Sequence, residues 1–144
     1  MRHGGRAIGL VMTVTILVGC NGHCRYVRGL ESIQLVSYHR MFPAYAETTQ
    51  VAPGVVFPLS DGEYSGRVTE YIPDFVMDPR GHVTSRSSAA VNPAVRVDVY
   101  QGWKRVATTW AFKGEGPPHF RQKQLFAFKL LTLESHDKPS DNRD

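Results

Sequence analysis

The chain has 144 residues, of which 42% are hydrophobic and 21% charged, and its formal charge at pH 7 is +4. This composition is typical of a globular protein and excludes a wholly disordered one. The basic residues are few and scattered, so no nucleic-acid partner is expected. The length suffices for one domain with a hydrophobic core and is too short for two ordinary domains.

The first 19 residues have the pattern of an export signal. Arg2 and Arg6 give a positive start, and residues 7–19 (AIGLVMTVTILVG) carry no charge. As a helix this run would span roughly 20 Å, which is short against a hydrocarbon core of about 30 Å, so a permanent transmembrane helix is the weaker interpretation. Cleavage after residue 19 would remove both arginines and lower the charge from +4 to about +2.

The signal ends in Leu17-Val18-Gly19-Cys20, which resembles the lipobox of bacterial lipoproteins. The resemblance implies lipid attachment to the Cys20 thiol and cleavage just before it; an ordinary secretory signal with a chance cysteine is the alternative. Two or three acyl chains would anchor the protein firmly in a lipid bilayer. In Gram-negative lipoproteins, an aspartate directly after the lipidated cysteine resembles a signal for retention in the inner membrane. This chain has Asn21 at that position. We therefore expect outer-membrane attachment in a Gram-negative source, with the domain facing the periplasm.

A short tether is predicted at residues 20–29, after which a β-rich domain fills residues 30–134. Cys24 would have no partner in the chain if Cys20 is acylated, so it is expected to be free or to pair between molecules. The spacing Cys20-Asn-Gly-His-Cys24 matches neither a C-x-x-C-H haem attachment nor a C-x-x-C zinc arm. No metal and no cofactor is predicted.

The elements of the domain are predicted from alternation and turn residues. Residues 33–38 form a weak first strand, and Asp61-Gly62 predicts a hairpin between residues 55–59 and 63–71. The type I turn signature Asp78-Pro79-Arg80-Gly81 separates residues 75–77 from 82–86. Further on, Asn92-Pro93 marks another turn or the start of a strand.

The clearest local prediction is a hairpin of residues 95–100 and 106–112 around the turn Gln101-Gly102. Residues 125–133 (LFAFKLLTL) are apolar on both faces, which suits a central strand covered on each side; a helix is the alternative. The fold class is therefore all-β, a small antiparallel β-sandwich or barrel of about six to nine strands. Residues 135–144 are predicted to be a disordered tail.

Motifs of catalysis are absent from the sequence: there is no G-x-S-x-G, H-E-x-x-H or phosphate-binding glycine loop. The histidines lack ligand-like spacing and are interpreted as lone surface residues. Asp74 and Asp78 could be interpreted as a catalytic pair of carboxylates. The prolines beside them favour roles in turns and at strand ends instead. Because triads assemble in space, these absences do not exclude an enzyme, although none is predicted.

Three side chains are candidate contacts for a partner. Trp103 follows the predicted turn and is expected to be exposed, whereas Trp110 and Phe112 are expected in the core. His119 and Phe120 belong to a stiff proline-rich loop, which presents side chains at a low entropic cost or simply connects two strands.

Three segments resemble the extracytoplasmic β domain of the ResB family of cytochrome c biogenesis. They are Pro73-Asp74-Phe75, Asn92-Pro93-Ala94-Val95 and Trp110-Ala111-Phe112, and the likeness covers roughly residues 55–133. ResB proteins have several membrane-spanning helices, which the mature sequence lacks, so no haem ligand is carried over to this chain. The resemblance implies a free-standing soluble domain, tethered by lipid, that docks to a partner.

The sequence thus predicts a membrane-anchored envelope lipoprotein with a non-catalytic binding or accessory role, cytochrome c maturation being the specific hypothesis. The alternative is a periplasmic carrier or binding protein for a small hydrophobic ligand. An apolar cavity lined by strand residues would favour the carrier, and a packed core with an exposed aromatic patch would favour docking.

Overall fold

A computed structural model describes residues 29–59, 62–114 and 124–135 of the chain. These ranges form nine strands and contain no helix, which confirms the all-β class. None of them holds a helix long and apolar enough to cross a membrane. The strands are β1 (Leu30–His39), β2 (Phe42–Val51), β3 (Val56–Leu59), β4 (Tyr64–Ile72), β5 (Phe75–Met77), β6 (Val83–Ser85), β7 (Ala94–Gln101), β8 (Lys104–Phe112) and β9 (Phe126–Ser135).

Seven strands form one sheet in the order β2-β1-β9-β8-β7-β4-β3, which curls into a nearly closed barrel. All neighbours are antiparallel except β8 and β9, which run parallel and share the single bridge Phe112↔Lys129. This one bridge is a local exception in a sheet that is otherwise antiparallel, as predicted.

Side chains from the inner faces of all seven strands fill the barrel. The buried residues of this core are Ile33, Leu35, Val51, Phe57, Leu59, Val68, Val95, Val97, Val99, Ala111, Phe126, Phe128 and Leu130. The alternation of Val95, Val97 and Val99 in the sequence is thus the inner face of β7, as predicted. Gly66 on β4 is required by close packing, since a Cβ there would lie 2.5 Å from the ring of Phe57.

The predicted hairpins form. Gly62 follows β3 at φ +89° and donates its N–H to the carbonyl of Leu59, and β3 pairs with β4 on either side of this turn. Gly81 at φ +85° donates to the Asp78 carbonyl, which closes the turn between β5 and β6. The β7–β8 turn consists of Gly102 and Trp103, one residue later than predicted.

The β5–β6 hairpin lies on the outer face of the barrel and builds a second apolar cluster. Phe75 meets Phe112 with ring centroids 4.9 Å apart and Trp110 at 5.1 Å, both edge to face. Ile72 and Ala94 complete the buried part of this cluster. Trp110 and Phe112 are therefore packed as predicted, but against the hairpin on the outside, while the smaller Thr109 and Ala111 face the barrel interior.

Strand β9 differs in part from its predicted environment. It is a strand between β1 and β8, yet only one of its faces is fully buried, through Phe126, Phe128 and Leu130. Lys129 is exposed, and Leu131 sits at an irregularity where the register with β1 shifts. The extra apolar residue of the bulge made the segment look covered on both faces.

Candidate functional site

The strand directions place three hairpin turns at the same end of the barrel. The β1–β2, β3–β4 and β7–β8 turns all lie there, because β1, β3 and β7 run towards this end and their successors run away from it. We call it the turn end. The chain enters β1 and leaves β9 at the opposite end, which we call the entry end.

Large apolar side chains are exposed at the turn end. Trp103 is fully exposed in the β7–β8 turn, as the sequence predicts. In the β1–β2 turn Met41 is 71% and Phe42 64% exposed. These side chains share one end of the barrel, and large exposed apolar side chains are candidates for a binding surface. Two further candidate contacts, His119 and Phe120, lie outside the described residues.

A pocket of about 320 Å³ opens at the turn end, which we call the turn-end pocket. It lies where β8 and β9, joined only at Phe112↔Lys129, separate towards the turns. A volume of this size is at the lower limit of ordinary small-molecule sites. The residues that line it are Tyr64, Val99, Gln101, Val106, Ala107, Gln124, Leu125 and Phe126.

Six of the eight lining residues are aliphatic or aromatic, and the other two are glutamines. Val99 and Phe126, each 2% exposed, belong to both the barrel core and the pocket wall. The ring of Tyr64 packs on Phe126 with centroids 5.3 Å apart. The pocket is thus an unfilled continuation of the hydrophobic core.

The two glutamines differ in their hydrogen bonds. The Gln101 amide donates to a carboxylate oxygen of Glu63, across the β4–β7 pair. The Gln124 amide donates to the carbonyl of Thr108 at 2.7 Å, which bridges the gap between β8 and the start of β9. Its oxygen, Oε1, is buried and has no hydrogen-bond partner among the residues that the structure describes. Sequence analysis did not single out Gln124.

His39 corrects the interpretation of every histidine as a surface residue. It is only 7% exposed, at the end of β1, and its ring meets Phe126 edge to face at 4.9 Å. Its Nδ1 accepts the backbone N–H of Met41 at 3.2 Å, so it fixes the β1–β2 turn. His82, in contrast, is exposed and lies 2.9 Å from the carboxylate of Asp78.

Asp74 and Asp78 have separate structural partners. Asp74 is 2% exposed and accepts two hydrogen bonds from the Arg86 guanidinium, each at 3.1 Å, and one from Ser87 at 3.0 Å. The bonds from Arg86 hold the pKa of Asp74 below its ordinary value. Backbone and side-chain bonds from His82 lower the pKa of Asp78 likewise, because the turn N–H groups stabilise its charged form. Neither carboxylate lines the pocket.

A third carboxylate, Asp98, is buried on the outer face of β7. It is 3% exposed and accepts a hydrogen bond from Thr108 at 2.9 Å. Arg105 lies 3.3 Å and Arg96 3.9 Å from its oxygens, and their chains cover it. The alternation of charged and apolar residues places Asp98 on the correct face, but it does not show that neighbouring arginines screen that face.

The structure brings no three His, Cys, Asp or Glu side chains together as a possible metal site within the described ranges. The predicted signal peptide, Cys20, Cys24 and the predicted tether up to residue 28 lie outside those ranges, as do residues 136–144 of the predicted tail. They stay predictions of the sequence. Ser135, predicted to begin the disordered tail, is instead the last residue of β9, where it pairs with Leu30.

Fold and site together define an all-β, nearly closed barrel with a small, mostly apolar pocket and exposed aromatic side chains at one end. No protein-family model, curated protein or solved structure matches the chain. The ResB resemblance therefore rests on its three short segments. In the fold these segments meet: Phe75 and Asn92 exchange two hydrogen bonds, and Phe112 packs on Phe75.

Proposed function

We propose that this chain is a lipid-anchored, non-catalytic binding protein of the bacterial envelope that docks a protein partner through the turn end of its barrel. The observation that carries the proposal is the exposure of Trp103, Met41 and Phe42 at that one end. Tryptophan and other large apolar side chains supply most of the binding energy in protein interfaces when a partner covers them.

The position of the proposed anchor fits this arrangement. The chain enters at Leu30, at the entry end, and the ten residues of β1 span about 33 Å to the turn end. The proposed anchor therefore joins the described part of the chain at the end opposite Trp103.

The partner class that we propose comes from the ResB resemblance, namely an assembly of cytochrome c maturation. The three resembling segments fix the β5–β6 hairpin to the barrel, so they bear on how the domain is built. The docking residues at the turn end lie outside those segments. The partner has to be identified directly.

The experiment is a pull-down of the native lipoprotein from gently solubilised envelopes, with wild type, Trp103→Ser and Val91→Ser compared by mass spectrometry. Val91 is the matched control, because it is 66% exposed but lies at the entry end. We expect a partner, specifically cytochrome c assembly proteins, to co-purify with wild type and Val91→Ser and to be lost with Trp103→Ser. Recovery of the same proteins with all three would contradict docking through Trp103.

A further variant in the same host, Cys20→Ala, tests whether the protein is lipid-anchored. This variant lacks the thiol that takes the lipid, so it should remain an unprocessed precursor. Normal processing of Cys20→Ala would contradict the anchored location without bearing on the docking surface.

A second candidate function is a carrier of a small hydrophobic ligand, and the turn-end pocket favours it. The pocket is apolar, is lined mostly by strand residues and continues into the core. Such a site binds by burying ligand surface and needs no reacting group.

A further inference from the structure

The turn-end pocket combines an apolar wall with one residue, Gln124, whose side-chain oxygen, Oε1, is buried and lacks a partner among the described residues. A buried acceptor without a partner lowers the stability of the fold, because its desolvation is not compensated by a hydrogen bond. A ligand that donates a hydrogen bond to this oxygen would remove that cost and gain binding free energy.

The orientation of the Gln124 side chain is set by its neighbour. The Thr108 carbonyl accepts only, so the carboxamide must turn its NH₂ group towards Thr108, at 2.7 Å. The oxygen then faces away from that carbonyl, on a residue of the pocket wall. It is screened from water, so a ligand reaches it by displacing a neighbouring side chain.

The volume limits the size of the ligand. A cavity of about 150 Å³ holds one benzene ring, so about 320 Å³ suits a bicyclic ring or a short branched chain. The wall contributes no charged side chain, and its second glutamine, Gln101, already donates to Glu63. A charged ligand would lose its hydration there without a compensating ion pair.

We propose that the turn-end pocket binds a small, uncharged, mainly apolar molecule with one N–H or O–H group, which donates a hydrogen bond to Gln124 Oε1. This inference deepens the carrier function and rests on it; it is independent of docking through Trp103. It names the chemical class of the ligand and the residue that recognises it.

The test compares two probes of nearly the same shape, indole and 1-methylindole, of which only indole has a donor. The full lipidated protein is held in lipid nanodiscs, and binding is followed by backbone amide chemical shifts. In the control variant Ala107→Trp the new side chain fills the pocket. Any shift change that remains in this variant comes from partition of the probe into the lipid. We expect wild type to bind indole about 3- to 10-fold more tightly than 1-methylindole, the range of one buried hydrogen bond.

Gln124→Leu should bind both probes equally, because it keeps the size of the side chain and removes the acceptor. Gln101→Leu is the matched control and should keep the preference for indole. Unchanged amide shifts in β1 and β2 would show that each variant is folded.

Three results would overturn the inference: no binding of either probe above the Ala107→Trp level, equal affinity of wild type for both, or loss of the preference in Gln101→Leu alone. None of these results would bear on docking through Trp103, which the pull-down with Trp103→Ser tests separately. If the two probes bind the pocket equally, the carrier function survives and only the recognition by Gln124 fails.

Discussion

Single residues on the outer face of the barrel hold the second apolar cluster, under the β5–β6 hairpin, in place. Asp74 is the clearest example, since its carboxylate receives the Arg86 guanidinium and the Ser87 hydroxyl, and its backbone N–H bonds to the Ser85 hydroxyl. Its neighbour Phe75 packs under the hairpin. The charge of Asp74 therefore ties the segment after β6 to the end of β4.

This pairing makes stability depend on pH. The pKa of Asp74 is lowered in the folded state, chiefly by the bonds from Arg86, whereas an unfolded aspartate titrates near 3.9. The stabilisation is therefore fully present above about pH 4 to 5 and is lost as the pH falls through the lower folded-state pKa. We expect Asp74→Asn to be less stable than wild type at pH 7, with the difference shrinking below about pH 4.

Urea unfolding at pH 7, 5, 4 and 3 measures the difference. Glu134→Gln, at the exposed end of β9, is the control and should match wild type at pH 7. A gap between Asp74→Asn and wild type that stays constant down to pH 3 would show that the carboxylate charge is not the cause.

Residues in turns were predictable, and the pocket residues were not. Trp103 is exposed because it lies in a two-residue turn, and turns are marked in the sequence by glycine. Gln124 gains its role only because Thr108, on a strand distant in sequence, offers a carbonyl. No local pattern encodes that contact, since it depends on the parallel placement of β8 beside β9.

At the scale of elements, the β5–β6 hairpin is an attachment to the barrel. It is a two-stranded sheet separate from the main one, and an isolated hairpin is at best marginally stable in water. Packing of Phe75 on Trp110 and Phe112 supplies what the hairpin itself lacks.

Phe75→Ala should therefore release the hairpin from the barrel. Removing a buried phenylalanine costs about 3 to 5 kcal/mol. We expect hydrogen exchange of the β5 and β6 amides to accelerate strongly while the amides of β1 and β9 keep most of their protection. Thr84→Ala on the exposed side of β6 is the control and should leave both sets unchanged. Equal acceleration in β1 would instead mean that hairpin and barrel unfold as one unit.

Elements were predictable where apolar and polar residues alternate along the sequence. β7 shows it, with three inward valines and a glycine turn, and the β7–β8 pairing follows. β2 escaped prediction because, of its side chains with a described environment, only Val51 is buried, so there is no alternation to detect. β9 was recognised as a strand, but its bulge at Leu131 disguised which face is buried.

At the scale of the whole molecule, the first and last strands are neighbours. β1 pairs with β9 along its length, and the register places Leu30 opposite Ser135. Two directly opposed residues of an antiparallel pair lie about 5 Å apart, so a short linker can join these positions.

A circular permutant should therefore fold. It would join Ser135 to Leu30 through a short glycine linker and open the chain between Ala89 and Ala90, which are exposed and precede β7. We expect a β-type circular dichroism spectrum and a cooperative thermal transition like those of the parent domain. A permutant opened inside β7, between Val97 and Asp98, is the control that should fail. Failure of both would contradict the register of β1 and β9.

The central place of β9 also has a consequence for how the protein is made. β9 is the element that joins the β1–β2 pair to the β8-β7-β4-β3 group, and it is translated after all the others. Its contacts with β1 link residues that are about a hundred positions apart, and such long-range pairing is slow to form. The barrel core is therefore completed only when the whole chain is present. In the export that we propose, this delay keeps the polypeptide unfolded until β9 has crossed the membrane.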